Sequence, residues 1–391
     1  MIKISHLYTI ILVVLVIAIL IYSIPHINTK IYENYGEYNT NKNEYSSSKC
    51  DNIEVNVNRD ELYEKVKNID IVYMWIDREA PGFKSTITPG VNSRNRSNNE
   101  ITYSIRSMMK NMSWHQGRIF IVSPNQAPQN MKVTWGTKNG KFDENAIKNA
   151  PKDHIIIIDQ KALLPSEIGE TENSFIIEFF LYTIPTLSEN FIYMNDDYFI
   201  GKKTQPSNFF KLNDDKTLRP QFYNNRYVIK GGLKESNKLE RSNAQVWYSA
   251  TYFTNHLLNK KCGNNTRYYM EHAPYMFNKT WYKEVYLQWQ DEIAKTFVHK
   301  RRHWKDIIFV LLYRYYCSET GKPLDMVQDT RNIFLHIVKN DISSNKNFYK
   351  KVESDCPIFF TLNDDYSSKQ VQQDMTEFLT QFFTDKSPYE K

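Results

Sequence analysis

Residues 191–201 read FIYMNDDYFIG, an apolar run that breaks at Asn195, Asp196 and Asp197 before the chain turns apolar again. β-Branched and aromatic residues in so short a run predict a strand buried on both faces, as in a sheet covered by helices. Carboxylates at the end of a buried strand are costly unless a cation or hydrogen bonds compensate them. A Mg2+ or Mn2+ bridging a diphosphate is one compensation; an ordinary Asn-Asp turn is the plain alternative. Neighbouring side chains on a strand point to opposite faces, so both aspartates share one site only if the chain bends there.

Working outward, strand-like and helix-like segments alternate. IDIVYMWID (69–77), RIFIVS (118–123) and HIIIID (154–159) read as strands, whereas NEITYSIRSMMKNM (99–112) and SFIIEFFLYTI (174–184) read as helices. That order predicts an α/β fold with a mixed, largely parallel sheet and helices on both faces. Ligands of such sheets sit beyond the carboxyl ends of the strands, where Asp77, Asp196 and Asp197 fall. Beyond residue 240, NAQVWYSATYFTNHLL (243–258), the stretch 281–297, KDIIFVLLYRYY (305–316) and VQQDMTEFLTQFF (371–383) read as helices. FLHIV (334–338) and IFFTLNDD (358–365) read as strands, and the second repeats the pattern of an apolar run closed by Asn363, Asp364 and Asp365.

The chain has 391 residues, 41% of them hydrophobic, so it buries a sizeable core and is not a disordered protein. A formal charge of +6 with dispersed Lys and Arg argues against a nucleic-acid partner and suits a small anionic substrate. Residues 7–24, LYTIILVVLVIAILIYSI, are uncharged and long enough to cross a bilayer, so an anchor is expected behind a short tail, 1–6. Residues 25–65 are polar without apolar period and read as a stem, leaving 66–391 as the folded domain. The four cysteines, Cys50, Cys262, Cys317 and Cys356, lack metal-ligand spacing, so disulfides and buried thiols are both open. Asn95, Asn111, Asn264 and Asn278 each open a glycosylation sequon.

Several blocks, in order, carry a family resemblance: IDIVYMWID; NNEITYSIRSM with RIFIVSPNQAP; ENSFIIEFFLYTIPTLSENFIYMNDDYFIG; HAPYMFNK with TFVHKRRHWKDI; FTLNDD with the terminal FFTDKSPYE. Over roughly residues 68–391 the chain resembles the Stealth family, which includes bacterial capsule polymerases that transfer sugar 1-phosphates and the catalytic subunit of the Golgi GlcNAc-1-phosphotransferase. The resemblance implies a nucleotide-sugar-binding, GT-A-like or Rossmann-like domain. It also implies attack of a glycan hydroxyl on the sugar-proximal phosphorus of a nucleotide sugar such as UDP-GlcNAc, with UMP leaving and a Mg2+ or Mn2+ assisting. The partners implied are the UDP-sugar donor, a glycan or glycoprotein acceptor and, through the N-terminal helix, a membrane. With an anchor ahead of a stem and domain, the expected location is that of a single-pass type II protein in the Golgi with a lumenal catalytic domain.

By resemblance, Glu178, Asp197, His272 and Arg302 are the expected catalytic residues. Asp196, Asp197 and Asp364 are the expected metal ligands, and Trp75, Asp77, Asn98, Arg106, Asn195 and Arg301 the expected substrate-binding residues. The residue types fit: phosphoryl transfer needs neutralised oxygens, an aligned nucleophile and a base. A guanidinium chelates phosphate oxygens, a histidine suits proton transfer, and Asp197 suits either metal binding or removal of the acceptor's proton. The sequence departs from the family after Trp75, where Ile76-Asp77-Arg78-Glu79-Ala80 replaces the usual Asn-Gly pair and acidic residue, and at Ser97 and Asn99, where acidic residues are usual. These departures bear on donor identity. Two other readings share the residues: a metal-dependent glycosyltransferase that releases UDP, and a non-catalytic glycan-binding paralogue.

Overall fold

Apolar runs of five or six residues set the centre of the molecule, because a strand buried on both faces has no polar side to present. β1 (Asp70–Met74), β2 (Ile119–Ser123), β6 (Ile155–Asp159) and β7 (Asn190–Asn195) are almost wholly inaccessible along their interiors. The structure, a computed structural model, describes residues 44–80, 97–241, 246–328 and 331–391. With β3 (Val133–Trp135) and β12 (Tyr275–Asn278) these strands form a six-stranded sheet in the order β12-β7-β1-β2-β6-β3. All neighbours are parallel except β12, which runs antiparallel to β7. The sheet is thus mixed and mostly parallel, as expected from the alternating pattern.

The order places a switch point beside β1. From β1 the chain builds outward through β2 to β6 on one side, then crosses back to lay β7 on the other, with Met74 level with Asn195. The crevice outside such a switch is where doubly wound sheets take their ligands.

Two smaller sheets complete the core. β10 (Leu218–Val228) pairs with β9 (Phe210–Leu212), β11 (Tyr268–Met270) and β13 (Asp325–Val327). β15 (Phe359–Asp364) lies between β14 (Ile333–Val338) and β8 (Tyr198–Ile200). The hairpin of β4 (Thr137–Lys138) and β5 (Lys141–Phe142) turns through Asn139 and Gly140, both at positive φ (53° and 69°), as a two-residue hairpin turn requires. The helix Glu100–Asn111 buries Ile101, Ile105 and Met108, with Met109 half-buried, and its polar residues fasten it to β8. There Ser104 Oγ donates to the Tyr198 carbonyl at 2.5 Å and Asn111 Nδ2 to the Ile200 carbonyl at 2.6 Å.

The compact unit runs from Tyr45 to Lys391, so residues 45–65, read as stem from their composition, pack onto the domain. Tyr45 is buried against Tyr349 and Phe378, and a disulfide joins Cys50 to Cys356 with 5.2 Å between Cα atoms. Cys262 and Cys317 are free thiols. The membrane reading is corrected: among the described residues no helix is long and apolar enough to cross a bilayer, so nothing in the fold supports a single-pass type II protein of the Golgi. The anchor read at 7–24 lies outside the described residues, as do residues 1–6 and the stem's residues 25–43.

Candidate active site

Asp196 and Asp197 form the two-residue turn between β7 and β8, strands of different sheets. The chain bends there, which removes the objection that adjacent strand residues face apart. β8 pairs antiparallel with β15, Tyr198 opposite Thr361, and the Leu362 amide donates to the Asp197 carbonyl at 3.3 Å. The end of β15 therefore arrives beside the end of β7, and the two Asn-Asp-Asp triplets meet.

Like charge accumulates at this meeting point. Burial pushes the Asp196 carboxyl well up, and Asp197, Glu100 and Asp364 push it further. Asp197 is raised to about 7 by burial and by Glu100 and Asp364, with Arg302 pulling the other way. Glu100, at the start of the helix Glu100–Asn111, is raised by burial and by the charge of Asp77. Its carboxylate accepts from Asn98, whose own amide oxygen takes the Tyr366 hydroxyl at 2.6 Å.

Glu178 closes the short helix Ser174–Glu178, where the sequence pattern predicts one helix across 174–184; a 3-10 turn over Leu181–Thr183 replaces its second half. Its carboxyl is 7% exposed and lies 3.1 Å from the Tyr193 hydroxyl, which is also 2.8 Å from Asn195 Oδ1. Burial raises Glu178 to about 7, again with Arg302 opposing. His272 sits in the loop ahead of β12, at the same edge as Asn195, its backbone carbonyl accepting from Thr361 Oγ1 at 2.8 Å. Burial, then the Arg302 charge, lower it to about 4, so the imidazole is neutral at pH 7.

Arg302 is thus the common neighbour of Glu178, Asp197 and His272. Its guanidinium lies over the Phe175 ring at 4.7 Å and donates to Ser174 Oγ at 2.7 and 3.0 Å. The basic run 299–305 is held against this helix by buried groups that sequence reading missed. Asn173 caps the helix through Phe175 N and donates to the His299 and Arg301 carbonyls and, at 2.7 Å, to Asp306 Oδ2. Asp306 also accepts from His299 Nδ1 and His303 N, each at 2.7 Å. The signals were an Asn-Ser pair ahead of an apolar turn and an aspartate closing a basic run.

The other expected residues divide. Asn195 ends β7 at the cluster, and Arg301 lies on the Arg302 loop. Asp77 follows β1, its backbone clamped by both ends of the Gln126 amide at 2.8 and 2.9 Å. Asn98 reaches the cluster only through Glu100. Trp75 is 9% exposed and packed in the core. Arg106 points to the chain terminus, where it grips both Glu390 oxygens at 2.7 and 2.8 Å. Among the described residues His299, His303 and Asp306 are the trio whose ligand atoms lie within 4.8 Å of one another; the strand-end carboxylates are more widely spread.

The comparisons with known proteins agree with the blocks read in the sequence. Residues 94–218 match the model of Stealth protein conserved region 2, and residues 271–319 that of conserved region 3. The chain thus carries two conserved regions of the Stealth family. The chain is similar to a capsular polysaccharide phosphotransferase of Actinobacillus suis, 27% identical over 92% of this chain and 96% of that one. A second, capsular polysaccharide phosphotransferase cps1A of Actinobacillus pleuropneumoniae, is 28% identical over 73% of this chain and 76% of that one. An exopolysaccharide phosphotransferase of Nocardia farcinica is 26% identical over 83% of this chain and 61% of that one. Among solved structures, the galactosyltransferase LgtC overlaps 80% of this chain and 96% of that one at 10% identity with a TM-score of 0.37, too low for a fold assignment to rest on.

Proposed function

We propose that the chain transfers a sugar 1-phosphate from a nucleotide sugar to a glycan hydroxyl, with UDP-GlcNAc the first donor to test. The observation that supports this most is the convergence of Glu178, Asp197 and His272 on Arg302 at the switch point, in a chain whose relatives carry the name polysaccharide phosphotransferase. The acceptor oxygen forms a bond to the sugar-proximal phosphorus, the bond from that phosphorus to the nucleoside monophosphate breaks, and the hydroxyl proton passes to Asp197. A carboxyl that titrates near 7 is matched to that work at neutral pH. Arg302, planar and always charged, draws phosphate oxygens toward the same point. His272, neutral and beside Arg302, orients the acceptor hydroxyl; proton donation to the leaving phosphate requires that bound anion first to raise it.

The donor set fits a divalent cation. Asp196, Asp197 and Asp364 supply hard oxygen ligands; Asp364 raises the proton affinity of both Asp196 and Asp197, and Asp197 that of Asp196, the mark of crowded negative charge. Their spread suits an ion that binds through one or two carboxylates and completes its shell with diphosphate oxygens. Such a Mg2+ or Mn2+ supplies neutralisation of the diphosphate.

The test incubates the full chain with UDP-GlcNAc, Mn2+ and oligosaccharide acceptors and identifies the released nucleotide by mass. UMP, lost in Asp197→Asn, supports the proposal. UDP instead marks a metal-dependent glycosyltransferase acting at the sugar carbon.

A further inference from the structure

The sheet order separates two sides of the carboxylate turn. β1 and its crevice lie on one side of β7, and β12, with the His272 loop, lies on the other. If the crevice takes the nucleotide, the acceptor must approach from the His272 side. On that side the surface is aromatic. The His272 ring lies 6.0 Å from Tyr198, the residue after Asp197, and 6.2 Å from Trp247. Trp247 stacks on Tyr269 at 6.0 Å and 25°, and Tyr248 meets both rings edge-on, 5.1 Å from Trp247 and 5.8 Å from Tyr269.

Trp247 and Tyr269 lean on the core from one side without being enclosed by it. Tyr248 is 42% exposed, and Trp247 and Tyr269 are half-buried, each leaving ring surface to solvent. The shelf is braced from behind. The Tyr269 hydroxyl donates to the Tyr252 hydroxyl at 3.2 Å, and the Tyr252 ring lies so close over Gly231 that a Cβ there would stand 2.2 Å from it. Rings fixed before a ligand arrives lose little conformational entropy on binding it, which is what makes Trp and Tyr effective anchors. Their apolar faces match the C–H faces of pyranose rings, and the Tyr hydroxyls and Trp N–H match sugar hydroxyls.

We infer that Trp247, Tyr248 and Tyr269 form the acceptor-glycan subsite, stacking one or two sugar rings beyond the residue whose hydroxyl is presented at His272 and Asp197. This rests on the proposed function for the identity of the reaction, but glycan binding by the shelf is measurable without turnover. An oligosaccharide therefore binds better than its terminal monosaccharide, and the donor is bound independently of the shelf.

The experiment applies the full chain, Tyr248→Ala and Trp247→Phe to a glycan array and measures donor hydrolysis without acceptor alongside. The Tyr248 side chain is exposed, so its truncation leaves the fold standing, as melting temperature checks. The expected result is binding of longer glycans that Tyr248→Ala weakens about tenfold, with acceptor-free nucleotide release unchanged. Array glycans bound equally by parent and Tyr248→Ala, or no glycan bound by the parent, overturn the subsite. Shelf-dependent glycan binding without any Asp197-dependent nucleotide release would instead keep the subsite and remove the phosphotransferase reading.

Discussion

The two ends of the central sheet treat buried carboxylates in opposite ways. At the amino end of β1, Asp70 is 2% exposed and fully partnered: Arg118 grips both oxygens at 2.7 and 3.0 Å, and the Ser188 amide donates at 2.8 Å. At the carboxyl end of β7, Asp196 and Asp197 face Glu100 and Asp364, and the cation that acts on Asp197 is Arg302, shared with Glu178. Burial with pairing makes a fastener; half-burial among like charges stores a demand for a cation. The fold tolerates the second because the substrate and its metal would supply the missing charge, a common pattern at functional sites.

That contrast predicts opposite effects of similar substitutions. The largest is expected from Asp197→Asn, which should lower kcat about 10^3-fold, the scale of a lost general base. In metal-free buffer the same change should stabilise the protein at pH 8. A carboxyl raised to about 7 when folded costs nothing below its unfolded value near 4, costs progressively more between pH 4 and 7, and costs its full amount above 7. The melting temperature of the variant should therefore exceed the parent's at pH 8 and converge with it by pH 4. A variant less stable than the parent at pH 8 breaks the comparison.

Arg118→Gln at the other end should do the reverse. It strands a buried carboxylate and should cost about 3 kcal/mol in denaturant titration while leaving kcat per folded molecule unchanged. Next in size, Asp364→Asn should lower activity about 30-fold and be partly rescued by raised Mn2+, as loss of one ligand of a cation predicts. The pH profile sharpens the same point: kcat/KM should fall about tenfold per pH unit below 7 as Asp197 takes up its proton. The smallest effect belongs to Asp365→Asn. Asp365 is exposed just past the strand, its amide bonded to the Val338 carbonyl, and activity should stay within about twofold.

Much of this was legible in the sequence because parallel strands buried on both faces leave continuous apolar runs, and β1, β2, β6 and β7 all do so. The strand-end position of Asp77, Asp196, Asp197 and Asp364 was legible for the same reason. β10 was not, because LRPQFYNNRYV carries a proline and two asparagines and earns its strand from three partner segments. Residues 45–65 read as stem because a polar stretch hides Tyr45, Cys50 and Tyr63, each buried by contact with distant parts of the chain. Glu100 stood inside the family blocks yet was not taken as a site residue, since helix starts favour glutamate for the dipole alone. Only the packing of its helix against β8 shows that its carboxylate belongs with Asp196 and Asp197. Arg106, in contrast, matched the family pattern and proved to be half of an ion pair with Glu390.

The most direct test follows the phosphorus. The full chain is supplied with UDP-GlcNAc carrying 32P in the sugar-proximal phosphate, Mn2+ and a glycan acceptor that the array shows to bind, and the products are separated. The account predicts that the label moves into the glycan as a phosphodiester while unlabelled UMP is released, and that Asp197→Asn abolishes the transfer. Label recovered in UDP, with a glycan that gains sugar but no phosphorus, would contradict it.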